Sequence, residues 1–320
     1  MKKFLKENFK FILFIIMMIL IVEIELPYAI EAPGGTLNLS QKIDKNYNKK
    51  NGSLNMLYVT EYKGNIVTVL LSKIIPTWDL HKINNDNLIK ESSTDIYNRN
   101  KIMLQNSIDN ATYVAYTKAG KKIDIVEKEN IIIAKIKDNG LEIGDNILSI
   151  DGIIVENINT IKEHLNELDV GDIVNIKIKR KDKEKTISIA LDKDKILGIM
   201  IITNYTFATD KDINIAFKSG VGGSSGGLIL ALGMYSELTG IDILKGRNVA
   251  GTGTIDFNGN IGQIDGIKYK IAGAVRNRMD LVLVSPYNYE EALKVVKENN
   301  YNIKIVKVST FDEAVDYLTS

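Results

Sequence analysis

The sequence predicts an α/β protein in which one apolar helix precedes several folded units. Three observations carry that reading. A lysine-rich start runs into an unbroken apolar stretch, Phe11–Val22. From Leu54 onward, short strand-like apolar runs alternate with helical patterns. A glycine-rich turn, Gly220–Gly227, opens directly into an apolar helix.

The N-terminal elements follow from charge and hydropathy. Met1–Lys10 carries Lys2, Lys3, Lys6 and Lys10 against Glu7, and Ile24 and Leu26 extend the apolar run past Glu23. A basic flank before an apolar run predicts a cytoplasmic tail over 1–8 and a transmembrane anchor over 9–26. Ala29 and Ala32 are separated by Ile30 and Glu31, a poor cleavage signal, so the anchor is expected to be retained. That reading puts the chain in the cell membrane as a single-pass protein with the rest extracytoplasmic. Pro27 and Pro33-Gly34-Gly35 mark an exit into irregular chain. Strands are expected at Leu54–Val59 and Asn65–Leu71, around a Lys63-Gly64 turn, then polar chain over Asp79–Ser93. Ile96, Met103, Leu104, Ile108, Ala111 and Val114 predict a helix over Thr94–Ala119, capped by Thr94 and stopped at Gly120. This 33–122 α/β region shows no chemistry of its own.

A second unit is expected at 123–192. Leu141–Gly152 reads as a strand entered through Gly144-Asp145 and left through an Asp151-Gly152 turn. Asn159–Leu168 is helical. Asp172–Arg180 and Lys185–Leu191 are strands joined by a lysine-rich hairpin, with Val174, Ile176 and Ile178 on one buried face. The last unit, 196–320, holds the turn, the helix ending at Leu238-Thr239-Gly240, Val249–Asp256, Gly259–Gly262 and Asp265–Lys270.

Composition narrows the chemistry. Lysine plus arginine total 41 against 40 acids, so no overall field recruits nucleic acid. The absence of cysteine excludes disulfides, a thiol nucleophile and thiolate metal sites. The two histidines, His81 and His164, lie outside any glycine-rich turn, and His164 sits in a helical pattern as a structural residue. No metal and no cofactor are expected. No Gly-x-x-x-x-Gly-Lys-(Ser/Thr) run occurs, so no nucleotide is expected either. What remains is serine with lysine. A serine where a glycine-rich turn becomes a helix sits beside unpaired N–H groups and the positive helix end, which favour a developing oxyanion. A lysine on a later helix of small and apolar residues can act as its base. The residues alone leave Ser224 and Ser225, and Lys268 and Lys270, as alternatives.

Taken in order, the blocks from Gly220 to Lys270 resemble the proteolytic domain of the Lon family. More narrowly, they resemble the membrane-anchored Lon-like proteases of Gram-positive bacteria, which carry a PDZ domain and no ATPase. The family's Gly-Pro-Ser-Ala-Gly turn maps onto Gly223-Ser224-Ser225-Gly226-Gly227, and its Gly-Gly-(Leu/Ile)-x-x-Lys run onto Asp265–Lys270. The resemblance implies Ser225 as nucleophile, Lys270 as base and Lys268 on a solvated face. Thr252 is implied to hold the lysine's amine, and Gly226 to stand where the family has alanine. Ser224 replaces a proline, and both changes loosen the turn. A lysine base needs its pKa of about 10.4 lowered by roughly 2–3 units, for which Ile267, Ile271, Ala272 and Ala274 supply apolar neighbours.

The 123–192 unit resembles a PDZ domain, with a groove edge at Ile131–Ala134 facing the Asn159–Leu168 helix and no glycine-hydrophobe loop ahead of that strand. The implied function is an ATP-independent Ser–Lys endopeptidase, with the PDZ unit assisting substrate binding. Its partners are extended or partly unfolded extracytoplasmic proteins and, through the N-terminal helix, the membrane. A homo-oligomer is compatible with this organisation. The alternative is a membrane-tethered PDZ scaffold whose Lon-like domain is inactive.

Overall fold

The computed structural model describes residues 8–43, 52–83, 91–213 and 215–320. The first helix, α1, covers Phe9–Glu23. Its 15 residues reach about 22 Å at 1.5 Å per residue, against the roughly 30 Å of a hydrocarbon core. Among the described residues no helix is long and apolar enough to cross a membrane. The expected 9–26 span is therefore corrected: the helix stops at Glu23, where Glu23 and Glu25 interrupt the apolar run. All but one residue of the expected 1–8 tail lie outside the described residues.

β1 (Tyr28–Asn38) runs through Pro33-Gly34-Gly35, which was expected to be irregular. Pro33 pairs with Val59 and Thr36 with Leu57, so the two glycines bulge opposite Tyr58. The short α2 (Ser40–Ile43) leads to β2 (Ser53–Lys63). Asn65–Leu71, expected as a strand, instead begins α3 (Ile66–Ile74). The reason is a reciprocal cap: Thr68 N–H donates to Asn65 Oδ1 and Asn65 N–H donates to Thr68 Oγ1, both at 2.8 Å. That box outweighs the strand preference of the Ile and Val run. After β3 (Asp79–Lys82) comes α4 (Ser93–Lys118). Its cap is Ser92 rather than Thr94, because Ser92 Oγ accepts the Asp95 N–H at 3.1 Å and Ser92 N–H donates to Asp95 Oδ2 at 3.0 Å. The helix stops as expected, with Gly120 at φ +63°.

The second unit contains β4 (Ile123–Lys135), β5 (Asn146–Ile150), β6 (Ile153–Ile154), α5 (Ile158–Glu167), β7 (Ile173–Arg180), β8 (Lys183–Ala190) and β9 (Ile199–Thr209). Its sheet order is β8-β7-β5-β4-β9. Val174, Ile176 and Ile178 are fully buried, as the alternation predicts, against Ile132, Ile147, Ile161 and Leu165. The Gly144-Asp145 entry is fixed by a two-pronged ion pair, Arg180 Nε and Nη2 each donating to Asp145 at 2.7 Å. Two expectations change here. β9 belongs to this sheet, not to the last unit. It also pairs along β4 from Ile123 to Lys135, so the Ile131–Ala134 edge proposed as a groove is covered.

The remaining elements are α6 (Gly227–Thr239), β10 (Asn248–Gly251), β11 (Thr254–Ile255), β12 (Ile261–Gly262), α7 (Ile267–Arg276), β13 (Leu281–Val284), α8 (Pro286–Glu298), β14 (Lys304–Lys307) and α9 (Phe311–Thr319). They complete a sheet of order β14-β13-β10-β2-β1-β3, parallel from β14 to β2 and antiparallel beyond. Leu281-Val282-Leu283-Val284 is apolar at every position because both faces are covered. Leu281 and Leu283 pack with α4, α6 and α9, while Val282 and Val284 pack with α7 and α8. The 33–122 and 196–320 regions are thus one layered unit, with β2 at its centre and the second unit inserted between them.

Candidate active site

The serine turn sits where α6 meets the sheet. α6 begins without a side-chain cap, since Gly226 is its N-cap residue, and the positive helix end meets the cleft that Ser225 and Gly226 line. The turn is held by backbone and side-chain bonds. Gly253 N–H donates to the Ser225 carbonyl at 2.9 Å, and Leu228 N–H donates to the Gly253 carbonyl at 3.1 Å. Gly223 N–H donates to the Asn100 carbonyl at 2.9 Å, and Ser107 Oγ donates to the Ser224 carbonyl at 3.1 Å.

Ser225, Gly226 and Lys270 line one cleft of about 660 Å³, together with Met56, Tyr58 and Asp265. Ser224 opens instead onto a separate cavity of about 860 Å³, beside Ser107 and Asn110. The structure therefore brings Ser225 and Lys270 together and turns Ser224 the other way.

Lys270 projects from α7 and is only 4% exposed, a rare state for lysine. Burial disfavours its charged form and brings its pKa from 10.5 down to about 8, against the opposing pull of Asp265. Ile267, Ile271 and Ala274, expected as its apolar neighbours, are fully buried, and Ala272 is half-buried. Lys268 and Tyr269 are both tied to Asp79 on β3: Lys268 Nζ and Tyr269 Oη each lie 2.6 Å from Asp79 Oδ2. Lys268 is thus an ion-pair partner rather than a free residue of a solvated face. Burial raises the Asp79 carboxyl, but its bonds from Lys268 and Tyr269 outweigh this and hold it below the usual carboxylate range.

Thr252 differs from expectation. It is fully buried, and its hydroxyl donates to the Ser225 carbonyl at 3.1 Å. The bond it makes is to the Ser225 backbone rather than to the Lys270 amine. Gly226 has a physical reason that the sequence did not offer. A Cβ built there would lie 2.1 Å from Met56 Sδ, so the thioether fills the space an alanine methyl would take. Met56, Ser107, Asn100 and Asp79 are site residues that sequence reading missed. Each comes from the N-terminal region, and none forms a local pattern with the turn. His164, as expected, is structural, with Nε2 2.8 Å from Asp151 Oδ2. No group of three or more His, Cys, Asp or Glu among the described residues can hold a metal.

Comparison with known proteins bears on this arrangement. The Lon protease (S16) C-terminal proteolytic domain matches residues 142–319. The chain belongs to the Lon proteolytic-domain family, a family of serine peptidases. A Lon protease of Neorickettsia sennetsu is 30% identical over 114 residues, 35% of this chain and 14% of that protein. One from Trichlorobacter lovleyi is 28% identical over 135 residues, 41% of this chain and 16% of the other. One from Haemophilus influenzae is 24% identical over 238 residues, 73% of this chain and 25% of the other. The chain thus spans a quarter or less of these relatives' length. Among solved structures, the second domain of the listeria protein Lin2157 matches at 24% identity with a TM-score of 0.20, covering 27% of this chain and 90% of that one.

Proposed function

We propose that this Lon-type chain is an endopeptidase in which Ser225 is the nucleophile and Lys270 its base. The single observation behind this is a cleft shared by a serine at a helix start and a lysine whose burial lowers its pKa to about 8. Neutral Lys270 takes the Ser225 hydroxyl proton as Oγ attacks the scissile carbonyl carbon. The carbonyl oxygen becomes an oxyanion facing the N–H groups of Ser225 and Gly226, both in the cleft wall. As the C–N bond breaks, Lys270 gives that proton to the leaving amine, and Ser225 holds the acyl group as an ester. Water then adds to the ester carbon, Lys270 receives its proton, and the proton returns to Oγ as the acid leaves.

The finer parts of the reading are proposals too. The sequence carries no phosphate-binding loop, which supports cleavage without nucleotide and substrates that are already extended. The inserted unit supports a PDZ-like role in substrate binding. β9 is its edge strand, and a groove of about 340 Å³ runs between Gly198–Met200 and the α5 residues Ile158, Ile161 and Leu165. An extended chain can add to such an edge. α1, exposing Phe9, Phe11, Leu13 and Phe14, supports a membrane location.

The test is cleavage of an unstructured reporter by the purified chain without nucleotide. Cleavage that Ser225→Ala abolishes and Ser224→Ala leaves largely intact supports the reading. Equal loss in both variants, or a requirement for ATP and magnesium, overturns it. Complete inactivity of the unaltered chain favours a tethered scaffold.

A further inference from the structure

α3 is an apolar helix with no buried side chain. Its nine residues, Ile66–Ile74, read IVTVLLSKI. Ile66, Leu70 and Ile74 fall on one side of the helix at four-residue spacing, with Leu71 beside them. Leu70 is 57% and Ile74 74% exposed. A face of this kind is costly in water and marks a contact surface.

Four further observations say what covers it. α3 packs against α1, whose exposed side chains include Phe11, Phe14 and Ile19. Lys63 Nζ at the end of β2 lies 2.6 Å from Glu25 Oε1, fastening the strand that leads into α3 to the chain leaving α1. A pair of stacked rings, Tyr62 and Trp78, stands at the border, with centroids 5.0 Å apart. Trp78 is the only tryptophan in the chain, and tryptophan and tyrosine favour the membrane–water boundary. Finally, Lys73 stands in the last turn of α3, a positive charge that suits anionic headgroups. Apolar stripe, ring pair and lysine form the composition of a helix lying in a lipid interface.

We infer that the α3 face, with Tyr62 and Trp78, docks the proteolytic unit on a lipid bilayer surface. The inference rests on the membrane placement proposed for α1 and adds a second contact to it. β2 runs from the cleft wall at Met56–Val59 to Tyr62 and Lys63. The docked face therefore lies at the end of the strand that walls the active cleft, which favours substrate segments emerging beside the bilayer.

The test uses the full chain reconstituted with vesicles of phosphatidylcholine and phosphatidylglycerol. Trp78 emission is read with and without brominated acyl chains, and vesicle flotation is followed in parallel. Docking predicts that the emission falls roughly twofold on bromination, as for a ring at headgroup depth. The Leu70→Asp/Ile74→Asp variant should still float through α1 yet lose most of that quenching. Lys73→Glu, which leaves the apolar stripe intact, should weaken quenching in anionic vesicles and not in pure phosphatidylcholine. Flotation with an unquenched Trp78 overturns the docking and leaves the α1 placement standing. Neither flotation nor quenching overturns both. Equal quenching in the Asp variant removes α3 from the contact. A Trp78 shift that depends on protein concentration without vesicles, and is lost in the Asp variant, assigns the face to a second copy of the chain and also overturns the proposal.

Discussion

Replacing Lys270 by methionine should stabilise the protein while abolishing cleavage. Methionine keeps an unbranched chain of similar length and removes the amine that burial penalises. The drop in the Lys270 pKa from 10.5 to about 8 corresponds to about 3 kcal/mol at roughly 1.4 kcal/mol per pH unit. Below pH 8 the native and unfolded chains both carry the proton, so the native state bears the whole cost. Between 8 and 10.5 only the unfolded chain binds it, and the unaltered protein gains stability as pH rises. Above 10.5 the amine is neutral in both states and the difference disappears. At pH 7, Lys270→Met should therefore unfold about 3 kcal/mol later. For a unit of this size that is a rise in Tm of roughly 6–12 °C. The gap should close as pH approaches 10.5. Denaturant titrations of the two proteins at a series of pH values measure it directly. A variant no more stable than the parent at pH 7, or a gap that does not change with pH, would refute the buried-amine argument. In the parent, kcat/KM should rise with pH through a midpoint near 8.

Other substitutions probe the supports of the site. Gly226→Ala places a methyl against Met56 Sδ and should cost about 1–3 kcal/mol; combining it with Met56→Ala should recover part of that loss, measured by denaturation and by reporter cleavage. Asp265→Asn removes the charge that opposes burial at Lys270, so the pH midpoint of kcat/KM should move below that of the parent; an unchanged midpoint would separate Asp265 from the lysine. Ser107→Ala deletes the bond to the Ser224 carbonyl and should cost about 1 kcal/mol, lowering kcat more than it raises KM.

The parts of the fold that were legible are those with a local pattern. The alternation at Val174, Ile176 and Ile178, the α4 stop at Gly120 and the glycine turn into α6 each depend on neighbours in sequence. The misreadings have other causes, one local and two distant. At α3, a side-chain cap at Asn65–Thr68 outweighed strand preference. At Pro33-Gly34-Gly35, a turn-like sequence proved to be a bulge held by its partner strand. The Ile131–Ala134 edge is covered because β9, some seventy residues beyond β4 in the chain, pairs along it.

The candidate site divides along the same line. A serine at the start of α6 and a lysine on α7 are legible from residue type, and the family resemblance selects Ser225 and Lys270 among the alternatives, but the contacts that hold them come from distant chain. Proline in the relatives' turn stiffens it from within, and this chain has Ser224 there. Its stiffness is supplied from outside: Thr252 and Gly253 both donate to the Ser225 carbonyl, Ser107 to the Ser224 carbonyl, and Asn100 accepts from Gly223. Met56 in turn occupies the space beside Gly226. A turn loosened in sequence is thereby held in space by α4, β2 and the loop after β10. The two departures from the family's pattern are consequently weak grounds for an inactive domain, because each is matched by a contact that a sequence of local motifs does not show.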